Sequence, residues 1–160
     1  MMRTGVLSCL MLSCSVLSPC VASDITKNKD GTPPEGAPWT KDFLAAHQLA
    51  MQSGRPMFLY FTKTYCPHCV KFEQDVLTKP ELKALYGQII WVYVFRDFSE
   101  SEADRAAERV ELRFGVSSYP QHILVDPSSL TQITSTGRTL DSFAKGVGTA
   151  SRRVRPSRNV

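Results

Sequence analysis

The stretch that most constrains this chain is an apolar run, Pro-Met-Phe-Leu-Tyr-Phe at 56–61, followed through a short turn by Cys66-Pro67-His68-Cys69. The run does not alternate polar with apolar residues. It therefore suits a strand buried on both faces, which places it in the middle of a sheet covered on both sides. Residues 62–65 turn the chain, and the cysteine pair opens a helix with Val70, Phe72, Val76 and Leu77 at its apolar positions.

The flanking sequence alternates between the two periodicities. Thr40 is the predicted N-cap of a helix carrying Phe43, Leu44, His47, Ala50 and Met51, stopped by Gly54. His47 reads as a packed residue of that helix and not as a ligand. Thr78-Lys79-Pro80-Glu81 predicts another helix start, with Thr78 and Glu81 as a capping box and Pro80 in the first turn. Residues 89–95 are β-branched and aromatic and predict a second buried strand. Ser99 and Glu102 predict a further capping box, ahead of a helix with Ala103, Ala106, Ala107, Val110 and Phe114 and a stop at Gly115. Ile123, Leu124 and Val125 mark a short strand, Ile133 a weaker one, and 139–147 a last helix. Strands alternating with helices predict an α/β layer fold, with a late hairpin adding antiparallel strands to an otherwise parallel sheet.

At 160 residues and 42% apolar composition, the chain predicts one globular domain with a real core. Its +4 formal charge is not spread over that domain. Arg152, Arg153, Arg155 and Arg158 all lie in the last nine residues, so the composition does not indicate a nucleic-acid binder. We divide the chain into a signal segment at 1–22, a Gly- and Pro-rich linker at 23–38, a folded domain at 39–147 and a basic flexible tail at 148–160. In the signal segment Arg3 precedes an apolar stretch at 5–17 that is too short to span a bilayer comfortably, and Cys20-Val21-Ala22 fits a cleavage site. Export, to the periplasm of a Gram-negative cell, is the expectation. Lipid attachment at Cys14 or Cys20 stays open, as does an uncleaved anchor.

Cleavage after Ala22 removes Cys9, Cys14 and Cys20 and leaves Cys66 and Cys69 alone. A structural disulfide gains most by closing a long loop, and this pair closes almost none. An exported protein with only such a pair uses it for chemistry. Structural zinc is disfavoured, since it needs about four ligands and, beyond the pair, the cleaved chain offers only His47, His68, His122 and carboxylates, with no second CxxC. A redox role has a physical basis. A cysteine at a helix N-terminus faces unpaired N–H groups and the positive end of the helix dipole, which stabilise its thiolate. Pro67 suits the first turn, and His68 adds a group able to be cationic near the sulfur. Cys69, one turn on, is placed to resolve a mixed disulfide formed at Cys66.

These features resemble the thioredoxin superfamily. The matching segments are the strand at 57–61, the CxxC on the next helix, and Gly115-Val116-Ser117-Ser118-Tyr119-Pro120 before the strand at 121–125. The resemblance covers roughly residues 39–147. It implies a three-layer α/β/α fold with a central mixed sheet, and a cis Tyr119–Pro120 bond beside the redox pair. It also implies thiol–disulfide exchange with protein thiols and disulfides, catalysed by Cys66 and Cys69 and tuned by Pro67 and His68, with no cofactor and no metal. Tyr65, Tyr119 and Pro120 are the expected substrate-binding residues. Within the superfamily the chain looks closest to small bacterial proteins near the C-terminal domain of the reductase DsbD, whereas Pro67-His68 resembles the oxidase DsbA. A membrane redox donor or acceptor fits either neighbourhood.

Two departures stand out. Thioredoxins carry a buried acid six residues before the first cysteine, and here that position is Tyr60. The proton acceptor for the resolving thiol is therefore absent or supplied elsewhere. No large helical insertion separates Cys69 from Pro120, so a deep substrate groove is not expected, and Tyr65 and Tyr119 instead fit a shallow apolar surface. His122 is given no catalytic role. Two other functions compete: a binding module of the same fold handling Cu(I), which soft cysteine ligands suit, and a peroxidase using Cys66.

Overall fold

The computed structural model describes residues 30–154. The expected signal segment at 1–22, the start of the expected linker and the last six residues lie outside them. Five strands form one sheet: β1 (Trp39–Thr40), β2 (Met57–Lys63), β3 (Ile90–Arg96), β4 (Gln121–Asp126) and β5 (Thr131–Ser135). Their order is β1-β3-β2-β4-β5. The first three are parallel to one another, while β4 runs antiparallel to β2 and β5 antiparallel to β4. The mixed sheet and late hairpin agree with the expectation.

The side-chain alternation of β2 explains why its sequence is apolar throughout. Phe58 and Tyr60 point into one core with Phe72, Val76, Leu82, Phe143 and Val147. Met57, Leu59 and Phe61 point into the other with Ala46, Ala50, Val92 and Val125. All five residues are fully buried. The first core is covered by α2 (Pro67–Phe72), the turns after it, and α4 (Leu140–Arg153); the second by α1 (Phe43–Ser53) and α3 (Glu102–Phe114). The result is the three-layer α/β/α arrangement. Among the described residues no helix is long and apolar enough to cross a membrane.

Several predicted boundaries differ from those observed. Thr40 does not cap α1. It belongs to β1, opposite Val92, and its hydroxyl accepts the N–H of Asp42, which is the actual cap. Thr78 starts no helix, because α2 runs on as a π-helical turn, Glu73–Leu77, and the Thr78 hydroxyl donates back to the Glu73 carbonyl at 3.1 Å. The following Pro80–Leu85 is a 3₁₀ segment with no side-chain cap. Ser101, not Ser99, caps α3, by accepting the Asp104 N–H at 3.1 Å. α4 continues through Arg153, beyond the boundary expected at 147, so the basic segment begins as helix. In the part of the linker that is described, Gly31 is buried beside the Phe95 ring with φ 78°, and a Cβ there would lie 2.9 Å from that ring.

His122, on β4 opposite Tyr60, is buried and stacks on Phe72 of the CxxC helix with ring centroids 4.3 Å apart. Its Nδ1 lies 2.6 Å from the Thr136 hydroxyl. Burial, and then the positive charge of Arg138, push its pKa down to about 4. In the unfolded chain the value is about 6.5. Between those values the unfolded state binds a proton that the folded state refuses, so stability falls as pH drops from about 6.5 towards 4, by about 3 kcal/mol at most. Urea midpoints measured across this window should therefore fall steeply for the wild type and less for His122→Gln. An equal slope in both proteins would show that His122 is not the titrating group.

Candidate active site

Parallel sheets leave a crevice beyond the carboxyl ends of their strands, where loops diverge. Lys63 at the end of β2 lies opposite Arg96 at the end of β3, and Gln121 at the start of β4 lies opposite Phe61. The loops at 64–66, 97–101 and 117–120 therefore leave the same sheet edge. Cys66 ends the first of them, and Cys69 lies in the first turn of α2, which follows.

Cys66 is the N-cap of α2 and Pro67 occupies its first turn. The Cys66 sulfur accepts the backbone N–H of Cys69 at 3.3 Å, so one of the unpaired amides of the helix start points at the sulfur. Cys66 and Cys69 are joined in a disulfide, with Cα atoms 5.2 Å apart. Cys66 retains 5% of its surface and Cys69 none. Pro67 and His68 are exposed beside them. Tyr65, just before the pair, is 70% exposed and has φ 50°. Across the edge, Tyr119 is half-buried, Pro120 is buried, and the bond between them is cis. The expected site residues are thus distributed over two of the three loops and the first turn of α2.

Beneath the pair lies a polar contact that the sequence did not reveal. Tyr60 projects from β2 towards the CxxC helix, where its hydroxyl donates to Glu73 Oε1 at 2.7 Å and lies 3.4 Å from the Cys69 carbonyl oxygen. Burial, and then the charge of Glu73, push the Tyr60 phenol pKa far above its usual value, so it stays protonated and acts as a donor. Glu73 is four residues after Cys69, and its N–H bonds to the Cys69 carbonyl, so the two side chains share a helix face. The acid that is missing at position 60 is thereby matched by one arriving from the helix, tied to position 60 through the tyrosine hydroxyl. The only sequence signal was the i, i+4 spacing of Glu73 from Cys69, and it becomes informative once Tyr60 is known to face α2.

On the opposite face of the sheet Arg96 binds Asp104 and Glu111, and Glu111 in turn accepts the Tyr119 hydroxyl at 2.6 Å. Among the described residues no group of three or more His, Cys, Asp or Glu is placed to hold a metal ion.

A family model described as thioredoxin-like matches residues 38–127, more than half of the chain. The chain belongs to this thioredoxin-like family. Among solved structures it is similar to a DsbH oxidoreductase, at 19% identity with a TM-score of 0.65, over 76% of this chain and 92% of that one. It is also similar to a thioredoxin from Thermus thermophilus, at 21% identity and a TM-score of 0.55, over 70% and 85% of the two chains. At these identities the likeness establishes the fold. No curated protein matches the sequence. A linked CxxC pair at the start of a helix in a thioredoxin-like fold is the arrangement of a thiol–disulfide oxidoreductase in general.

Proposed function

We propose that the protein is an exported thiol–disulfide oxidoreductase acting on protein substrates, with Cys66 as nucleophile and Cys69 as resolving thiol. The observation that carries this reading is the Cys66 sulfur at the helix cap, accepting the Cys69 N–H and bonded to the enclosed Cys69 sulfur. A backbone donor aimed at the outer sulfur stabilises its thiolate. In the reduced enzyme the Cys66 thiolate attacks a substrate disulfide, forming a mixed disulfide and releasing one substrate thiolate. Cys69 then loses its proton and attacks the Cys66 sulfur. This closes the Cys66–Cys69 disulfide and releases the second substrate thiolate. The substrate disulfide gains two electrons and the enzyme dithiol loses them; the reverse sequence oxidises a substrate dithiol.

In this reading Glu73 takes the proton from Cys69, in hydrogen-bonded contact with Tyr60. Protein substrates suit the open, aromatic surroundings of Cys66: Tyr65 and Phe98, both on loops at this edge, are 70% and 53% exposed. Export rests on residues 1–22, and a membrane redox donor or acceptor is the proposed partner that regenerates the pair.

The test is insulin reduction by dithiothreitol, run beside a Cu(I) titration against a competing chelator. The expected result is catalytic acceleration of insulin reduction and no Cu(I) affinity beyond that of a simple dithiol. No acceleration, with stoichiometric and tight Cu(I) binding, would replace the enzyme by a metal-handling module.

A further inference from the structure

We propose that Arg96 is the positioning residue of this site, holding in register the three loops that leave the sheet edge where Cys66 stands. The proposal rests on the oxidoreductase reading above and adds to it a group on the opposite face of the sheet from Glu73.

Arg96 makes a contact towards each loop. Its carbonyl oxygen accepts the N–H of Thr64, two residues before Cys66, at 3.0 Å. Its Nε and Nη2 donate to the two carboxylate oxygens of Asp104 at 2.8 and 3.3 Å. Asp104 Oδ1 also accepts the N–H groups of Asp97 and Phe98, at 3.1 and 3.0 Å. The guanidinium covers the Phe98 ring at 4.8 Å. Its Nη1 donates to Glu111 Oε2 at 2.9 Å, while the other Glu111 oxygen accepts the hydroxyl of Tyr119, the residue before Pro120. Arg96 thus touches all three loops: its backbone carbonyl holds the loop of Cys66, and its side chain joins the loop of Phe98 to that of Pro120 through Asp104 and Glu111.

The chemistry of this cluster fits positioning better than stability. Arg96, Asp104 and Glu111 are 7%, 4% and 6% exposed. Burying such a group costs much of what its internal attraction returns, so an apolar cluster would serve stability equally well. What an apolar cluster lacks is direction. The planar guanidinium fork fixes two carboxylates at set angles, and each carboxylate passes that geometry to a loop. The loop at 97–101 needs such support, because Phe98 and Glu100 both have φ of 60°, a conformation unfavourable for residues with side chains.

The first test variant is Arg96→Lys, which keeps the charge and removes the fork. The readouts are amide hydrogen exchange at Thr64 and Phe98, and exchange rates with two substrates. Insulin needs the surface around Cys66, whereas glutathione disulfide needs little beyond the sulfur. Arg96→Lys should speed amide exchange at Phe98 about tenfold and leave unchanged the amides of β4 and that of Thr64, whose acceptor is the backbone carbonyl of residue 96. It should slow reaction with insulin about tenfold, equivalent to about 1.4 kcal/mol, and alter the glutathione rate less than about twofold. Glu111→Gln removes the charge between Arg96 and Tyr119. It should also lower the insulin-to-glutathione rate ratio, and it decides the matter if Arg96→Lys does not fold. A folded variant with wild-type amide exchange and an unchanged ratio overturns the positioning role. If the wild type reacts with neither substrate, the oxidoreductase reading fails, and amide exchange at Phe98, with Thr64 as the internal reference, still decides whether the Arg96 side chain positions the loops.

Discussion

Replacing Cys69 with Ala should leave the protein caught on its substrates, as mixed disulfides through Cys66 that survive non-reducing electrophoresis, whereas Cys66→Ala should capture none. The asymmetry follows from placement. Cys66 caps the helix, receives the Cys69 amide and keeps some exposed surface, while Cys69 is fully enclosed. On the proposed mechanism attack therefore starts at Cys66, and Cys69 acts from inside on a bond already formed. In the reduced native protein iodoacetamide should modify Cys66 much faster than Cys69. Equal rates, or trapping by Cys66→Ala, would reverse the assignment. Glu73→Gln refines the same experiment. The amide still accepts the Tyr60 hydroxyl, so the local packing survives, but it no longer takes a proton. A positioned base contributes roughly 10²-fold or more to a proton-transfer step. The mixed disulfide should accordingly persist about 100-fold longer in Glu73→Gln, while its formation rate at Cys66 stays near wild type. If resolution keeps its wild-type rate, the proton leaves Cys69 by a route without Glu73.

The parts of this arrangement that could be read from sequence are those set by local chemistry. An unbroken apolar run fixes β2 as central, because each of its faces needs a core, and Phe58 and Leu59 supply one apiece. A cysteine before a proline at a helix start is equally local, and so are the glycine stops at Gly54 and Gly115, both in the left-handed conformation. The misplaced helix starts show what pattern matching omits. Ser99 and Ser101 each precede an acid by three residues. Ser101 prevails because it turns Asp104 inward onto Arg96, a partner distant in register that only the tertiary fold supplies. Thr78 matched a cap, but the π-helical turn before it directs its hydroxyl backwards. Glu73 and Glu111 escaped notice for a related reason. Each is an ordinary helix-surface acid in sequence, and each gains a role from a tyrosine on a different element.

The second large effect concerns the redox poise of the pair. Stabilising the Cys66 thiolate stabilises the reduced form, which makes the disulfide more oxidising. Thioredoxin lies at about −270 mV and DsbA at about −120 mV. The Cys69 amide at the Cys66 sulfur favours the thiolate, and we propose that His68, exposed in the first turn of α2, adds to that effect. A value near the middle of that interval requires roughly 3–4 kcal/mol of preferential stabilisation relative to thioredoxin, at about 1.4 kcal/mol per 30 mV. His68→Gly removes the imidazole and should move the potential towards thioredoxin's.

The measurement that tests the central claim most directly is equilibration of the wild-type Cys66–Cys69 couple with glutathione at fixed pH. A reversible two-electron couple between about −270 and −120 mV, lowered in His68→Gly, is the expected result. A potential below about −300 mV, where structural disulfides lie, and unmoved by His68→Gly, would contradict it and make the pair a staple instead of a reaction centre.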